Sequence, residues 1–288
     1  MSQGVERRNG RLMADMNFGG TVGVAGCGRM GLPMARAMAR AGIDVIGFDI
    51  RPAADFGDFA PRMVTDPAEF AARCDVALSV VRDQRQTDDL LFDAQALLMR
   101  PGRPRTLAIC STLSPRYLAT VAERSPQGIA LIDAPMSGAA VAAEEGRLSF
   151  MLGGRDADLD RLAPLFEAMG RVSHRMGAFG AGMTAKVLNN FVAAASVSAV
   201  RQALGWADQL GVDRGRLMAL MHDSSGQTWF GSNFDRIEFA RDGYAPDNSI
   251  GVLRKDVEAA IDAVGADPDA GLQAAFLTAL RNLRPDRS

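Results

Sequence analysis

Lysine occupies only two positions, Lys186 and Lys255, in a chain whose Lys+Arg total is 32. Arginine stays protonated under all ordinary conditions, whereas a desolvated lysine can surrender its proton. A chain that writes nearly all its positive charge as arginine and keeps two lysines makes both candidates for proton transfer. Asn190 follows Lys186 by four residues, so the two side chains share a face if the segment is helical. The only histidines are His174 and His222, and the three cysteines, Cys27, Cys74 and Cys110, lie far apart. No group of these has metal-ligand spacing, so no metal is expected, and His174 and His222 are given no catalytic role. Unpaired cysteines point to a reducing compartment.

A second chemical signal is Gly26-Cys27-Gly28-Arg29-Met30-Gly31, a G-x-G-x-x-G run. The apolar stretch Thr21–Ala25 before it reads as a buried strand. Met34, Ala35, Met38 and Ala39 after it repeat at helical spacing up to Gly42. Val45–Phe48 is the next strand, and Asp49 follows it, 18 residues past Gly31. In this order the parts form a dinucleotide site. Gly26 permits the tight turn, Gly28 lets a pyrophosphate reach the backbone, and Gly31 lets the helix approach the strand. Phosphates then meet the unpaired N–H groups of the helix start. Asp49 is placed to accept from the ribose hydroxyls, which favours NAD, while Arg51 two residues on keeps NADP as the second candidate.

These residues need a scaffold, and the first half supplies alternating signals. Strands are expected at Val76–Val81, Thr106–Cys110, Ile129–Asp133, Ser149–Gly153 and Val172–Arg175. Asp66-Pro67-Ala68-Glu69 and Ser114-Pro115 read as helix starts, and a helix from Asp156 to Met169 is expected to stop at Gly170. From Ala181 strand signals end. One long helix to Leu210, closed by Gly211, is followed by helices at Asp213–Met221, Trp229–Phe239, Leu253–Val264 and Ala270–Leu283. The fold expected is α/β: an N-terminal Rossmann-type doubly wound parallel sheet, then an all-α C-terminal domain. The domains read as a flexible leader over residues 1–20, a dinucleotide-binding domain over 21–180, and a helical substrate and oligomerisation domain over 181–288.

A net charge of −2 offers no electrostatic footprint for nucleic acid or an anionic membrane. The uncharged run from Val187 to Val200 is 14 residues, short of a membrane span. Residues 1–20 lack the apolar core of a signal peptide, so the cytoplasm is the expected location. Apolar positions such as Leu188, Phe191, Val192 and Ala195 exceed what one thin helical layer covers, so a homodimer or homotetramer is expected.

Four blocks carry a family resemblance. They are Val22 to Ala35 with the glycine turn, Asp133-Ala134-Pro135-Met136-Ser137-Gly138-Ala139, Gly177-x-x-Gly180-x-Gly182-x-x-x-Lys186-x-x-Asn189-Asn190, and Lys255-Asp256. In this order they resemble the β-hydroxyacid dehydrogenases, which include 3-hydroxyisobutyrate dehydrogenases and tartronate semialdehyde reductases. The resemblance implies hydride transfer between NAD(P) and a small 3-hydroxy acid or its semialdehyde, with Lys186 as general acid and base. It implies that Ser137, Gly138, Ala139 and Asn190 hold substrate. It gives the cofactor Gly26, Gly28, Arg29, Met30, Gly31, Asp49, Arg51, Val81, Thr112 and Lys255. The four blocks are expected to converge on one site. Both lysines singled out by counting fall on family positions. Imine reductases and non-enzymatic nucleotide-binding scaffolds share this fold and are the alternatives; they commonly lack the lysine, so Lys186 argues against both. Ala139, Met136 and Asn248 depart from the usual family residues and are candidates for reshaping the substrate pocket, and Val80-Val81-Arg82 replaces the usual Leu-Pro.

Overall fold

The computed structural model of the 288-residue chain describes residues 18–138, 140–234 and 249–282, with backbone alone over 249–252. Most of the expected leader, together with Ala139, Asn248 and the end of the helix expected at Trp229–Phe239, lies outside the described residues. The chain forms two compact units that divide between Lys186 and Val187.

Among the described residues, the first unit has nine strands: β1 (Val22–Ala25), β2 (Val45–Phe48), β3 (Met63–Val64), β4 (Val76–Ser79), β5 (Thr106–Ile109), β6 (Ala130–Asp133), β7 (Met136–Ser137), β8 (Leu148–Gly153) and β9 (Gly170–Gly177). Their order is β3-β2-β1-β4-β5-β6-β8-β7, with β9 on β8. Strands β1, β2, β4 and β5 are buried throughout, the pattern of a parallel sheet covered on both faces. The strands separate two apolar clusters, one around Met34, Met38, Phe150 and Phe166, the other around Phe70, Leu91, Leu98 and Leu107.

The helices of this unit are α1 (Gly31–Arg40), α2 (Pro67–Arg73), α3 (Gln84–Leu91), α4 (Pro115–Arg124), α5 (Ala140–Glu144) and α6 (Asp156–Met169). Asp66 and Ser114 cap α2 and α4 as expected, accepting from Ala68 N–H at 2.8 Å and Arg116 N–H at 3.2 Å. The sheet is parallel as expected except at β8, which runs antiparallel to β6 and β7, because only the one-and-a-half-turn α5 separates β7 from β8. Helix α6 ends at Met169 before Gly170 as expected; Gly170 is extended and opens β9 directly. The strand expected at Val76–Val81 ends at Ser79, which frees Val80 and Val81 as loop.

The long helix α7 (Ala181–Leu210) crosses the division between the units and ends at Gly211, whose φ is +70°. The second unit continues with α8 (Arg214–His222), capped by Asp213, then α9 (Trp229–Ser232), α10 (Ser249–Val264) and α11 (Gly271–Asn282). Its core gathers Val197, Leu204, Phe230, Phe234, Val257, Ile261 and Leu280. Among the described residues, no helix is long and apolar enough to cross a membrane.

Candidate active site

Ala25, Ser79, Ile109 and Asp133, the last residues of β1, β4, β5 and β6, lie directly opposite one another in register. Four loops therefore leave the sheet along one line. They carry Gly26–Gly31, Val80–Val81, Ser111–Thr112 and, beyond Ala134–Pro135, strand β7 with Gly138. The line crosses the point where strand order reverses, between β1 and β4, and the crevice beyond such a point is where open α/β sheets bind ligands. The loops are stitched together: Val80 N–H donates to Ala25 O at 2.8 Å, and Ser111 Oγ–H donates to Val81 O at 2.5 Å.

The glycine turn can be tested for its fit to a dinucleotide. Gly26 has φ +94°, and a Cβ there would sit 2.7 Å from Val80 O. A Cβ on Gly31 would lie 2.0 Å from Gly26 O, so only glycine lets α1 start this close to the strand. Gly28 differs from both: a Cβ there would meet nothing within 4 Å, and its φ is ordinary. The protein's own packing gives no reason for glycine at that position, whereas close approach of a pyrophosphate does. Among the described residues no side chain caps α1 at its N-cap Met30, and its first turn holds no acidic residue, which leaves the dipole to an anion. Gly28 and Arg29 are exposed and Met30 is half-buried.

Asp49 follows β2, but its carboxylate is not free. Arg51 donates from Nε to Oδ1 at 3.0 Å, from Nη2 to Oδ2 at 3.2 Å and from its backbone N–H to Oδ1 at 3.1 Å. Nη2 also reaches Cys27 O at 3.0 Å, and the guanidinium lies 4.7 Å from the centre of the Phe56 ring. A cavity of about 400 Å³ opens here, lined by Asp49, Arg51, Thr65, Pro67 and Gln95 among others. The Cys27 thiol, inside the turn, is pushed up to about 12, first by burial and then by the Asp49 charge, so it is inert.

Across the row, Ser137 is half-buried and Gly138 exposed, at φ +129°. Ala139 lies outside the described residues. Lys186 is 7% exposed in the second turn of α7. In the second unit, Asn190 is 8% exposed and donates from Nδ2 to Asp256 Oδ2 at 2.6 Å; its own Oδ1 accepts from Asn189 at 3.2 Å. Lys255 Nζ lies 3.8 Å from Asp256 Oδ1. Asp256 was legible only as the neighbour of Lys255, and nothing in the spacing foretold that it would hold Asn190. His174 is exposed on β9, and His222 Nδ1 pairs with Ser232 Oγ at 2.9 Å. Trp229 is 71% exposed, while Phe230 belongs to the helical core.

Residues 21–180 match the family model of the NAD binding domain of 6-phosphogluconate dehydrogenase. Residues 180–282 match that described as NAD-binding of NADP-dependent 3-hydroxyisobutyrate dehydrogenase. The chain belongs to the β-hydroxyacid dehydrogenase family. As a β-hydroxyacid dehydrogenase it is an NAD(P)-dependent oxidoreductase of hydroxy acids. It is 32% identical to L-threonate dehydrogenase from Cupriavidus necator, over 84% of this chain and 82% of that protein. It is 35% identical to NAD-dependent L-serine dehydrogenase from Pseudomonas aeruginosa, over 71% of this chain and 70% of the other. Among solved structures, 3-hydroxyisobutyrate dehydrogenase from Mycobacterium tuberculosis with L-serine is similar at a TM-score of 0.76 and 27% identity, covering 91% of this chain and 92% of that one. This dehydrogenase thus brings its glycine turn, Val81, Thr112 and the Ser137–Gly138 turn to one sheet edge. Its Asn190 and Lys255 stand in the second unit, joined through Asp256.

Proposed function

We propose that this dehydrogenase oxidises a small 3-hydroxy acid to its semialdehyde, or runs the reverse reaction, with Lys186 moving the hydroxyl proton. The observation that carries the proposal is the burial of Lys186, one of only two lysines, at 7% exposure on a helix that starts at the ligand-binding edge of the sheet. In this reading Gly26, Gly28, Arg29, Met30 and Gly31 hold the pyrophosphate, Asp49 and Arg51 the adenosine ribose, and Val81, Thr112 and Lys255 the remainder of the cofactor. The bound nicotinamide accepts or supplies the hydride. The chain's own residues bind, orient and shift the proton. The Ser137 hydroxyl and the N–H groups at Gly138 and Ala139 hold the substrate carboxylate, and Asn190 anchors the hydroxyl end. Lys186 Nζ, unprotonated, takes the hydroxyl proton as the C–H bond breaks; protonated, it returns that proton to the carbonyl oxygen in reduction. The relatives named for threonate, serine and 3-hydroxyisobutyrate suggest a carboxylate with a nearby hydroxyl as the shared substrate element. We place the enzyme in the cytoplasm as a homodimer or homotetramer.

Turnover of 3-hydroxyisobutyrate, L-threonate and L-serine with NAD and with NADP tests the reading directly. Lys186→Ala is expected to lower kcat by about 10² to 10⁴ while leaving cofactor affinity intact. Lys186→Arg is expected to fail as well, because arginine holds its proton. Near-full activity in Lys186→Arg would reduce the lysine to an electrostatic anchor.

A further inference from the structure

Asp133 is fully buried at the end of β6, yet it accepts hydrogen bonds from a segment 47 residues away. Gly180 N–H donates to Oδ1 at 2.7 Å, and Met183 N–H donates to Oδ2 in a short bond. These N–H groups lie just before and within the first turn of α7, where the helix itself supplies no acceptor. We propose that Asp133 is the positioning residue for Lys186, setting where the catalytic helix begins relative to the substrate turn.

Three observations support this. The first is that the cap is remote. A serine, threonine or aspartate just before α7 would satisfy the same N–H groups locally. Taking the cap from β6 instead ties the helix to the sheet edge and not to its own loop. The second is that space has been cleared for the carboxylate. A Cβ on Gly153 would lie 2.1 Å from Asp133 Oδ1, and one on Gly182 would lie 2.9 Å from Oδ2 and 2.4 Å from Met151 O. The third is a second tie at the same helical residue: Leu113 N–H donates to the Met183 sulfur at 3.3 Å. Thr112 precedes Leu113, Ser137 stands four residues after Asp133, and Lys186 three after Met183. All three are thereby indexed to one buried carboxylate.

The lever is short. Three helical residues rise roughly 4.5 Å, so a displacement of the first turn reaches Lys186 almost undiminished. A misplacement of about 1 Å in a reacting group can cost about 10²-fold in rate. Burial pushes the Asp133 carboxyl up, and the N–H groups of Gly180, Met183 and Gly182 oppose that rise.

The proposal rests on Lys186 as the proton carrier, so the test is a double-mutant cycle on the full-length enzyme with Asp133→Asn, Lys186→Ala and the pair. Asn keeps the size of Asp but cannot accept at both oxygens. Asp133→Asn is expected to lower kcat by about 10- to 100-fold, with cofactor affinity by fluorescence titration essentially unchanged. In the Lys186→Ala background the same change is expected to cost no further rate, because the group it positions is gone. Equal losses in both backgrounds, or wild-type kcat in Asp133→Asn, would overturn the proposal. If Lys186→Ala alone keeps full rate, the reading of the lysine fails instead, and the single variants separate the two results. Gly182→Ala gives a second route should Asp133→Asn not fold: its methyl pushes the first turn off an intact carboxylate. The same Lys186-dependent loss is expected, and a wild-type kcat there would also sink the idea.

Discussion

Asp49 and Arg51 are expected to decide cofactor choice as a pair. Oδ1 of Asp49 already accepts twice from Arg51, but Oδ2 accepts once and keeps a second lone pair, so a ribose hydroxyl can still be received there. A 2′-phosphate would meet the carboxylate as a like charge and would have to draw Arg51 away from Asp49, Cys27 O and the Phe56 ring. A higher kcat/KM with NAD than with NADP is therefore expected. Asp49→Asn weakens the hold on Arg51 and removes the repulsion, so the NADP/NAD ratio of kcat/KM should rise about tenfold for each 1.4 kcal/mol relieved. Steady-state kinetics with both cofactors checks this, and a ratio that stays put or falls contradicts it. The sequence carried Asp49, Arg51 and their spacing. It did not carry the ion pair's grip on Cys27 O or the ring beneath it, since Phe56 comes from a 3₁₀ segment (Ala53–Arg62) interrupted by Gly57 and Pro61.

Among the elements, α1 starts hard against the turn that precedes it. A methyl on Gly31 would stand 2.0 Å from Gly26 O, so Gly31→Ala must push the helix off β1. Overpacking of this kind costs roughly 1–3 kcal/mol. In a unit of this size that lowers the melting temperature by about 2–4 °C per kcal/mol. NADH binding, followed by fluorescence, is expected to be lost with it. An unchanged melting temperature with intact binding would show that the turn tolerates a side chain. Elements with a strong repeat or a cap were legible in advance: β1, β2, α2 with Asp66, α4 with Ser114, and α7 closed by Gly211. Those missed are short or polar. Strands β3 and β7 have two residues each and exist only because a neighbouring strand pairs with them. Helix α3 buries Thr87, Leu90 and Leu91 and little else, too few for a period. Its start was nevertheless readable in Asp83-x-x-Gln86: Asp83 accepts from Gln86 N–H at 2.9 Å, and Gln86 Oε1 accepts from Arg82 N–H at 2.9 Å. The antiparallel turn at β8 had no sequence mark, because a buried strand reads alike in either direction.

For the whole molecule, exposed apolar side chains on α7 bear on assembly. Leu188, Val192, Trp206 and Leu210 are 48%, 64%, 57% and 78% exposed. A solitary exposed leucine is unremarkable, but several large apolar groups on one helix favour a protein partner. A second copy of this chain is the expected one. Light scattering at micromolar concentration should give at least twice the 30.6 kDa of one chain, and Trp206→Glu should shift it toward the monomer. A monomeric wild-type protein would remove the case for self-association.

The sheet row and the substrate turn hold very different shares of the structure. Strands β1, β4, β5 and β6 run four residues each in unbroken register, while β7 adds only Met136 opposite Phe150 and Ser137 opposite Ser149. The segment assigned to the substrate carboxylate is thus hung on the fold and is not woven into it. Such a division makes lineages adaptable: a descendant can try Met136 or Ser137 replacements one at a time without passing through an ancestor that cannot fold. Chains built this way diverge in diet sooner than in architecture, and relatives at comparable identity already bear the names of three different hydroxy acids.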